Sequence, residues 1–308
     1  MNPKKFLSSF VIIAAFFTLP AHAQKKALPQ LLVRLDDIGM NHSVNMAAEQ
    51  LAKTGIPFSV SLQFACPWYQ EAVAILKNFP NVSIGVHLTL TSEWRGYRWG
   101  PITGRTAVPS LVDSIGYFYQ STTAFENSGY KIEEVETELS AQIERALASG
   151  LTISYIDPHM GVALSTPALQ ALTEKLAHKY KLAISPLSQV SYFGETYMEM
   201  WGEPVATKKK AFYEYLNHLN PDRPNLVVIH TATPGAEMDA LYDMNSSMMN
   251  SNQGKPLTSL HRQTELNMLT SPEFMNQIGK RFTLINYKQL LADKDVNILI
   301  PVLVEKNH

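Results

Sequence analysis

The sequence predicts an α/β fold, a closed or nearly closed (β/α) barrel, and three observations carry that expectation. Short apolar or β-branched runs alternate with amphipathic helical segments about seven times along the chain, the signature of repeated strand–helix units. Several of the runs are apolar throughout, as suits strands buried on both faces of a parallel sheet. Roughly 285 residues remain after an N-terminal leader is set aside, a common length for an α/β barrel of one domain. A doubly wound open sheet is the alternative that these observations leave.

The elements follow in order. Lys4 and Lys5, the apolar stretch from Phe6 to Leu19, and then Pro20-Ala-His-Ala23 read as a secretory leader. Its apolar part is short for a bilayer span and a small-x-small site follows, so cleavage is expected after Ala23. Residues 1–23 are then the signal peptide and residues 24–308 a single domain, exported to the periplasm or secreted. No later run is long and apolar enough to span a membrane. Strands are expected at Leu31–Leu35, Phe58–Leu62, Val82–Leu90, Ile153–Ile156, Leu182–Ile184, Leu226–Ile229 and Phe282–Ile285. Helical spacing appears at Val44–Lys53, Tyr69–Lys77, Glu133–Ala148, Pro167–Lys179 and Leu257–Leu269.

Two segments interrupt the alternation and read as loops above the sheet. Residues 92–131 carry Trp94, Tyr97, Trp99, Tyr117, Phe118 and Tyr119, and residues 185–204 carry Tyr192, Phe193, Tyr197 and Trp201. Such aromatic faces could hold a sugar ring, with Trp94 and Trp99 the candidates for substrate contact, or could pack beneath long loops.

With 26 basic and 27 acidic residues the formal charge is −1, and losing Lys4 and Lys5 with the leader makes the remainder slightly more acidic. That balance gives no electrostatic case for nucleic acid or an anionic membrane, and a neutral or mixed-charge partner fits better. The single cysteine, Cys66, excludes an intramolecular disulfide. It has no activating neighbour in sequence and reads as a small apolar side chain.

Asp36 and Asp37 stand where the first strand run breaks into a turn. His87 lies near the end of the third run, and Asp157 and His159 end the fourth. Taken singly, an Asp-Asp pair reads as a turn starter, His87 as a packed core residue and His159 as part of a turn beside Pro158. Together, all three interruptions fall at the C-terminal side of strand runs, where barrel active sites lie. Asp37, His87 and His159 could supply three ligands to one divalent metal ion, zinc or magnesium among others, and leave positions open. Asp36 would be free to accept a proton, and Asp157, on the same strand face as His159, would orient a ligand imidazole.

Asp36-Asp37-Ile-Gly-Met with Ser43-Val-Asn45, Ile84-Gly-Val-His87-Leu-Thr-Leu-Thr91 and Tyr155-Ile-Asp157-Pro-His159 together resemble the YdjC-like carbohydrate deacetylases. The resemblance continues through Pro109-Ser-Leu-Val-Asp113, Gly116-Tyr-Phe118, Glu138-Leu-Ser-Ala-Gln142, Arg262-Gln-Thr-Glu265-Leu and Ser271-Pro-Glu273. It implies a distorted, TIM-like (β/α) barrel of about seven parallel strands that uses a divalent cation to hydrolyse an N-acetyl group from an amino sugar. It also implies Asp36 as base, Asp37, His87 and His159 as metal ligands, His230 as general acid, and a site role for Arg262.

The chain departs from the pattern in two places. Gly161 stands where a further histidine is common, and Thr-Ala-Thr separates His230 from Pro234-Gly235. Arg262 and Glu265, three apart on a helix, could also simply pair at its surface. The expected protein is an exported, metal-dependent carbohydrate deacetylase, with a homodimer left open. A sugar-binding barrel without turnover and a metal hydrolase of a different ester or amide are the alternatives.

Overall fold

The computed structural model describes residues 27–185, 195–247, 249 and 256–292. The expected leader, and Tyr192 and Phe193, lie outside them. The strands are β1 (Gln30–Ile38), β2 (Phe58–Leu62), β3 (Val82–Leu88), β4 (Trp94–Arg95), β5 (Ile153–Pro158), β6 (Ala183–Ile184), β7 (Thr196–Glu199), β8 (Asn225–Ile229), β9 (Tyr242–Asp243) and β10 (Thr283–Ile285). The helices are α1 (His42–Ala52), α2 (Tyr69–Leu76), α3 (Thr122–Glu126), α4 (Ile132–Ala148), α5 (Pro167–Tyr180), α6 (Val205–Asn217), α7 (Ala236–Asp239), α8 (Thr258–Thr270), α9 (Pro272–Met275) and α10 (Tyr287–Ala292).

Seven strands run in the order β6-β5-β3-β2-β1-β8-β7, every neighbour parallel. This is the cyclic order of a (β/α) barrel, with a seam between β6 and β7 where the described residues form no pairing. An open doubly wound sheet would reverse its order at a switch point, and this one does not. The barrel is distorted at β1. Its residues Gln30–Leu32 pair with β10, and Arg34–Ile38 pair with β2 along the same edge.

Local chemistry sets the helix ends. The Asn41 side chain accepts from Val44 N to open α1, and Thr166 caps α5 ahead of Pro167. Val135, Leu139, Ile143 and Ala146 make the buried stripe of α4.

Period-two alternation divides each strand between two cores. Val33, Leu35, Val60, Leu62, Val86, Ile156, Val227 and Ile229 face the helical layer. Leu32, Tyr155, Leu226 and Val228 face inward with Tyr287 and Leu290 of α10. Tyr155 fills the interior beside Gly85, where an added Cβ would lie 2.3 Å from its ring. Only glycine fits there.

The strand runs appear where the sequence predicts them, but residues 185–204 are more than a loop. They contain β7, whose Thr-Tyr-Met-Glu is half-polar and half-buried and so offers no apolar run. The helix α6 is likewise unforeseen. Its inward stripe is Lys208, Phe212 and Leu216, and the buried lysine masks the pattern.

Candidate metal centre

The inward positions that continue the alternation to the C-terminal end of the barrel are polar: Asp36 on β1, His87 on β3, Asp157 on β5 with His159 just after it, Glu199 on β7, and His230 just after β8. Strict alternation would send Asp36 and Asp37 to opposite faces. The register of β1 against β2 shifts between Leu35 and Ile38, and Asp37 takes φ +65°. This bulge turns both carboxylates into one cavity of about 370 Å³. Left-handed backbone costs of order 1–3 kcal/mol for a non-glycine residue, with aspartate among the more tolerant types.

His87 Nε2 lies 3.6 Å from Asp37 Oδ1, His159 Nδ1 lies 3.3 Å from the same oxygen, and the two nitrogens are 3.3 Å apart. A tetrahedral ion with ligands at about 2.0–2.1 Å separates them by roughly 3.3–3.4 Å. The three atoms form a triangle of nearly that size, all on buried residues, so this donor set fits a divalent cation.

The outer atoms of the triad are also held. His87 Nδ1 is 2.7 Å from Asp157 Oδ2, and His159 Nε2 is 3.0 Å from Glu93 Oε2. Arg262 Nη2 donates to Asp37 Oδ2 at 2.5 Å, and Gln63 Nε2 donates to Asp37 Oδ1 at 3.0 Å. These contacts fix both ring orientations and the carboxylate. Met160 (φ +49°) and Gly161 (φ +77°) make the left-handed turn that follows His159, so glycine suits the place where the resemblance leads one to expect a histidine.

Asp36 receives both arms of Arg34, with Nε to Oδ1 and Nη2 to Oδ2 each at 2.7 Å. Arg34 also donates to Ser185 Oγ. Burial raises the Asp36 pKa, opposed by Arg34 and His87. Burial would raise Asp37 as well, yet Arg262 and the two histidines hold it well below the usual carboxylate range. Burial disfavours charge on the histidines, but Asp157 and Asp36 lift His87 to about 10, and Glu93 and Asp37 lift His159 to about 9.

His230 lies apart from this network. Its ring is 4.9 Å from Trp201, and among the described residues its Nδ1 has no hydrogen-bond partner, with Glu199 Oε1 3.7 Å away. Burial drives its pKa well below the ordinary value, with Arg262 and His87 acting in the same direction against Asp37. Its backbone is anchored instead, since His230 N donates to Glu265 Oε2.

Arg262 and Glu265 do not pair at a surface. Both are buried, and Glu265 takes the Lys208 ammonium. Trp94 lines the cavity together with Trp201 and Tyr197. Trp99 does not. It sits 6.2 Å behind the His159 ring and gives its indole N–H to the Thr91 carbonyl.

Arg34, Gln63, Glu93, Glu199, Asp243 and Lys208 escape the sequence reading. A period-two count along the β1 and β2 runs would have exposed Arg34 and Gln63, whereas Glu199 lies on a strand with no apolar run to count from. Glu93 arrives on a loop, and Asp243, on the two-residue strand β9, reaches the cavity because β9 pairs with β4, placing it opposite Trp94. Glu138 and Gln142 of α4 explain another motif: Glu138 accepts from Ile102 N and Thr103 N, and Gln142 binds Thr89 backbone, tying the long loop to the barrel. Cys66 is buried and donates to Gln63 Oε1. No helix among the described residues is long and apolar enough to cross a membrane.

A protein of Listeria innocua named carbohydrate deacetylase 1 is 34% identical over 167 residues, which cover 54% of this chain and 64% of that protein. A carbohydrate deacetylase of Enterococcus faecalis is 33% identical over 189 residues, 60% of this chain and 68% of that one. The chain thus spans slightly under two thirds of the Listeria relative's length. A crystal structure from Enterococcus faecalis V583, named for cellobiose-phosphate cleavage, superimposes with a TM-score of 0.68 at 25% identity, over 86% of this chain and 99% of that chain. The sequence pattern of YdjC-like proteins matches residues 30–280, from β1 to the turn before β10. The chain therefore belongs to the YdjC-like protein family.

Proposed function

We propose that this protein is an exported, divalent-cation-dependent hydrolase that releases acetate from an N-acetylated amino sugar or oligosaccharide. The observation that carries the reading is the triangle of Asp37, His87 and His159 beside a second, Arg34-held carboxylate, Asp36, in one cavity. The names of the Listeria and Enterococcus relatives support the substrate class. Trp94, Trp201 and Tyr197 offer the apolar faces that a sugar ring would meet. The leader-like residues 1–23 support export.

A cation held by Asp37, His87 and His159 would supply Lewis-acid polarisation of the acetyl carbonyl and acidify water. Asp36 accepts the proton of the attacking water, its two oxygens oriented by Arg34. Burial holds His230 uncharged at rest, so the proton it delivers to the departing nitrogen is one it first takes up from solvent. Its low basicity then makes the transfer favourable. Asp157 and Glu93 keep the ligand nitrogens of His87 and His159 turned to the centre. One carboxylate and two imidazoles suit zinc among the divalent ions, and magnesium, manganese and cobalt are the others to test.

The test is acetate release from N-acetylated mono- and oligosaccharides by protein loaded with zinc, magnesium, manganese or cobalt, with and without chelator. Turnover that chelator abolishes supports the reading. Sugar binding without release of acetate by any metal-loaded form would replace it with a binding role, and cleavage of other esters or amides alone would change the bond.

A further inference from the structure

Asp37 offers its two oxygens to different partners. Oδ1 is the oxygen 3.3 Å from His159 Nδ1 and 3.6 Å from His87 Nε2, while Oδ2 is taken by Arg262. The guanidinium that takes it is enclosed. Its centre lies 5.6 Å from the Trp94 ring and 5.1 Å from the Trp201 ring, and among the described residues its Nε and Nη1 have no hydrogen-bond partner. Indole faces stabilise a cation without competing for its hydrogen bonds, so Arg262 directs its one anchored donor to Asp37. The helix that carries it is held in turn: Arg262 O accepts from Ala232 N, and Glu265, one turn on, accepts from His230 N and pairs with Lys208.

A free carboxylate can bind a cation through one oxygen or two. With Oδ2 committed to Arg262, Asp37 has only Oδ1 to give. We infer that Arg262 is a positioning residue that restricts Asp37 to a single coordinating oxygen, and so keeps open the positions that water and the acetyl carbonyl require. The inference rests on the metal-dependent reading above and adds to it the reason the site stays catalytic instead of closing into a saturated structural one.

The consequence is an opposed pair of effects. Removing Arg262 takes a positive charge from beside the centre and frees the second oxygen, so the cation is held at least as tightly while turnover falls. An arginine that merely supports the fold would instead lower both together.

The experiment titrates Co(II) into substrate-free parent, R262A and R262K proteins, following the visible absorption, and measures acetate release separately. For R262A the expected result is a Kd no weaker than the parent's, a less intense visible band as coordination number rises, and kcat reduced about 10²-fold. R262K, which keeps the charge without the planar fork, is expected between the two. It carries the test should R262A fail to fold. A Kd that weakens in step with kcat, or a band unchanged from the parent in both variants, overturns the inference while leaving a metal-dependent enzyme intact. Failure of the parent itself to bind Co(II) removes both.

Discussion

Three histidines line one cavity, His87 and His159 buried and His230 partly exposed, and desolvation pushes all three toward neutrality, yet they end in opposite states. His87 and His159 lie within 3.0 Å of the carboxylates of Asp157 and Glu93, and their pKa values rise to about 10 and 9. His230 has Glu199 only at 3.7 Å and feels Arg262 and His87, so its pKa falls well below the ordinary value. The first two belong to a wall in which both ring nitrogens of each residue face a partner. The third is anchored through its backbone, with a ring nitrogen that has no hydrogen-bond partner among the described residues. Fixed geometry is what a ligand needs, whereas a group that moves a proton needs a nitrogen free to gain and lose it.

The sharpest way to break this contrast is to remove a member of the fixed wall. Asp37→Asn or His87→Ala is expected to abolish stoichiometric metal binding in calorimetric titration and to lower turnover by about three orders of magnitude or more. Asparagine tolerates left-handed backbone as aspartate does, so Asp37→Asn should nonetheless fold. On the proton-moving side, His230→Ala or Asp36→Asn should cost about 10²–10⁴-fold in kcat with metal stoichiometry unchanged. Loss of metal from either would erase the distinction between the two walls. Asp157→Asn tests the outer support of His87. A 10–100-fold weaker metal affinity is expected, read by competition with a chromophoric chelator.

Glu265→Ala addresses the backbone anchor. It leaves Lys208 buried and unpaired, which should lower stability by about 3–5 kcal/mol in denaturant titration, with Glu265→Gln costing less. The smallest effect is one of pH. Raised pKa values mean that protons on His87 and His159 stabilise the metal-free fold fully below about pH 6.5, and that this stabilisation is lost as pH rises through about 9 to 10. A cation replaces those protons. Thermal melts between pH 6 and 10 should therefore slope downward for chelated protein and be flatter for metal-loaded protein over the same range.

The comparison also shows what the sequence could reveal. The strand runs and the Asp-Asp, His and Asp-x-His elements are local patterns, and each lies at the strand end where it was expected. The β1 bulge was not legible, because alternation argues against two adjacent inward carboxylates and only a register shift reconciles them. Nor were Arg262 and Glu265, whose i,i+3 spacing reads equally well as a surface pair. Their burial depends on α6 presenting a lysine to α8, a long-range contact without a local signal. Glu93 and Asp243 reach the cavity through loop geometry and a two-residue ribbon, which propensity does not register.

The bulge at Asp37 also bears on how the site behaves in motion. Asp36 and Asp37, the proposed proton acceptor and metal ligand, hang from consecutive residues, so once the bulge has turned both inward the covalent backbone limits how far apart they can move. Breathing of the barrel, including any widening of the seam between β6 and β7, carries Asp36 and Asp37 along as one body. The span from that pair to His230 crosses from β1 to the end of β8 and has no such tether. In the proposed reaction, thermal fluctuation should therefore modulate when the departing nitrogen is protonated more than the direction from which water attacks the acetyl carbon.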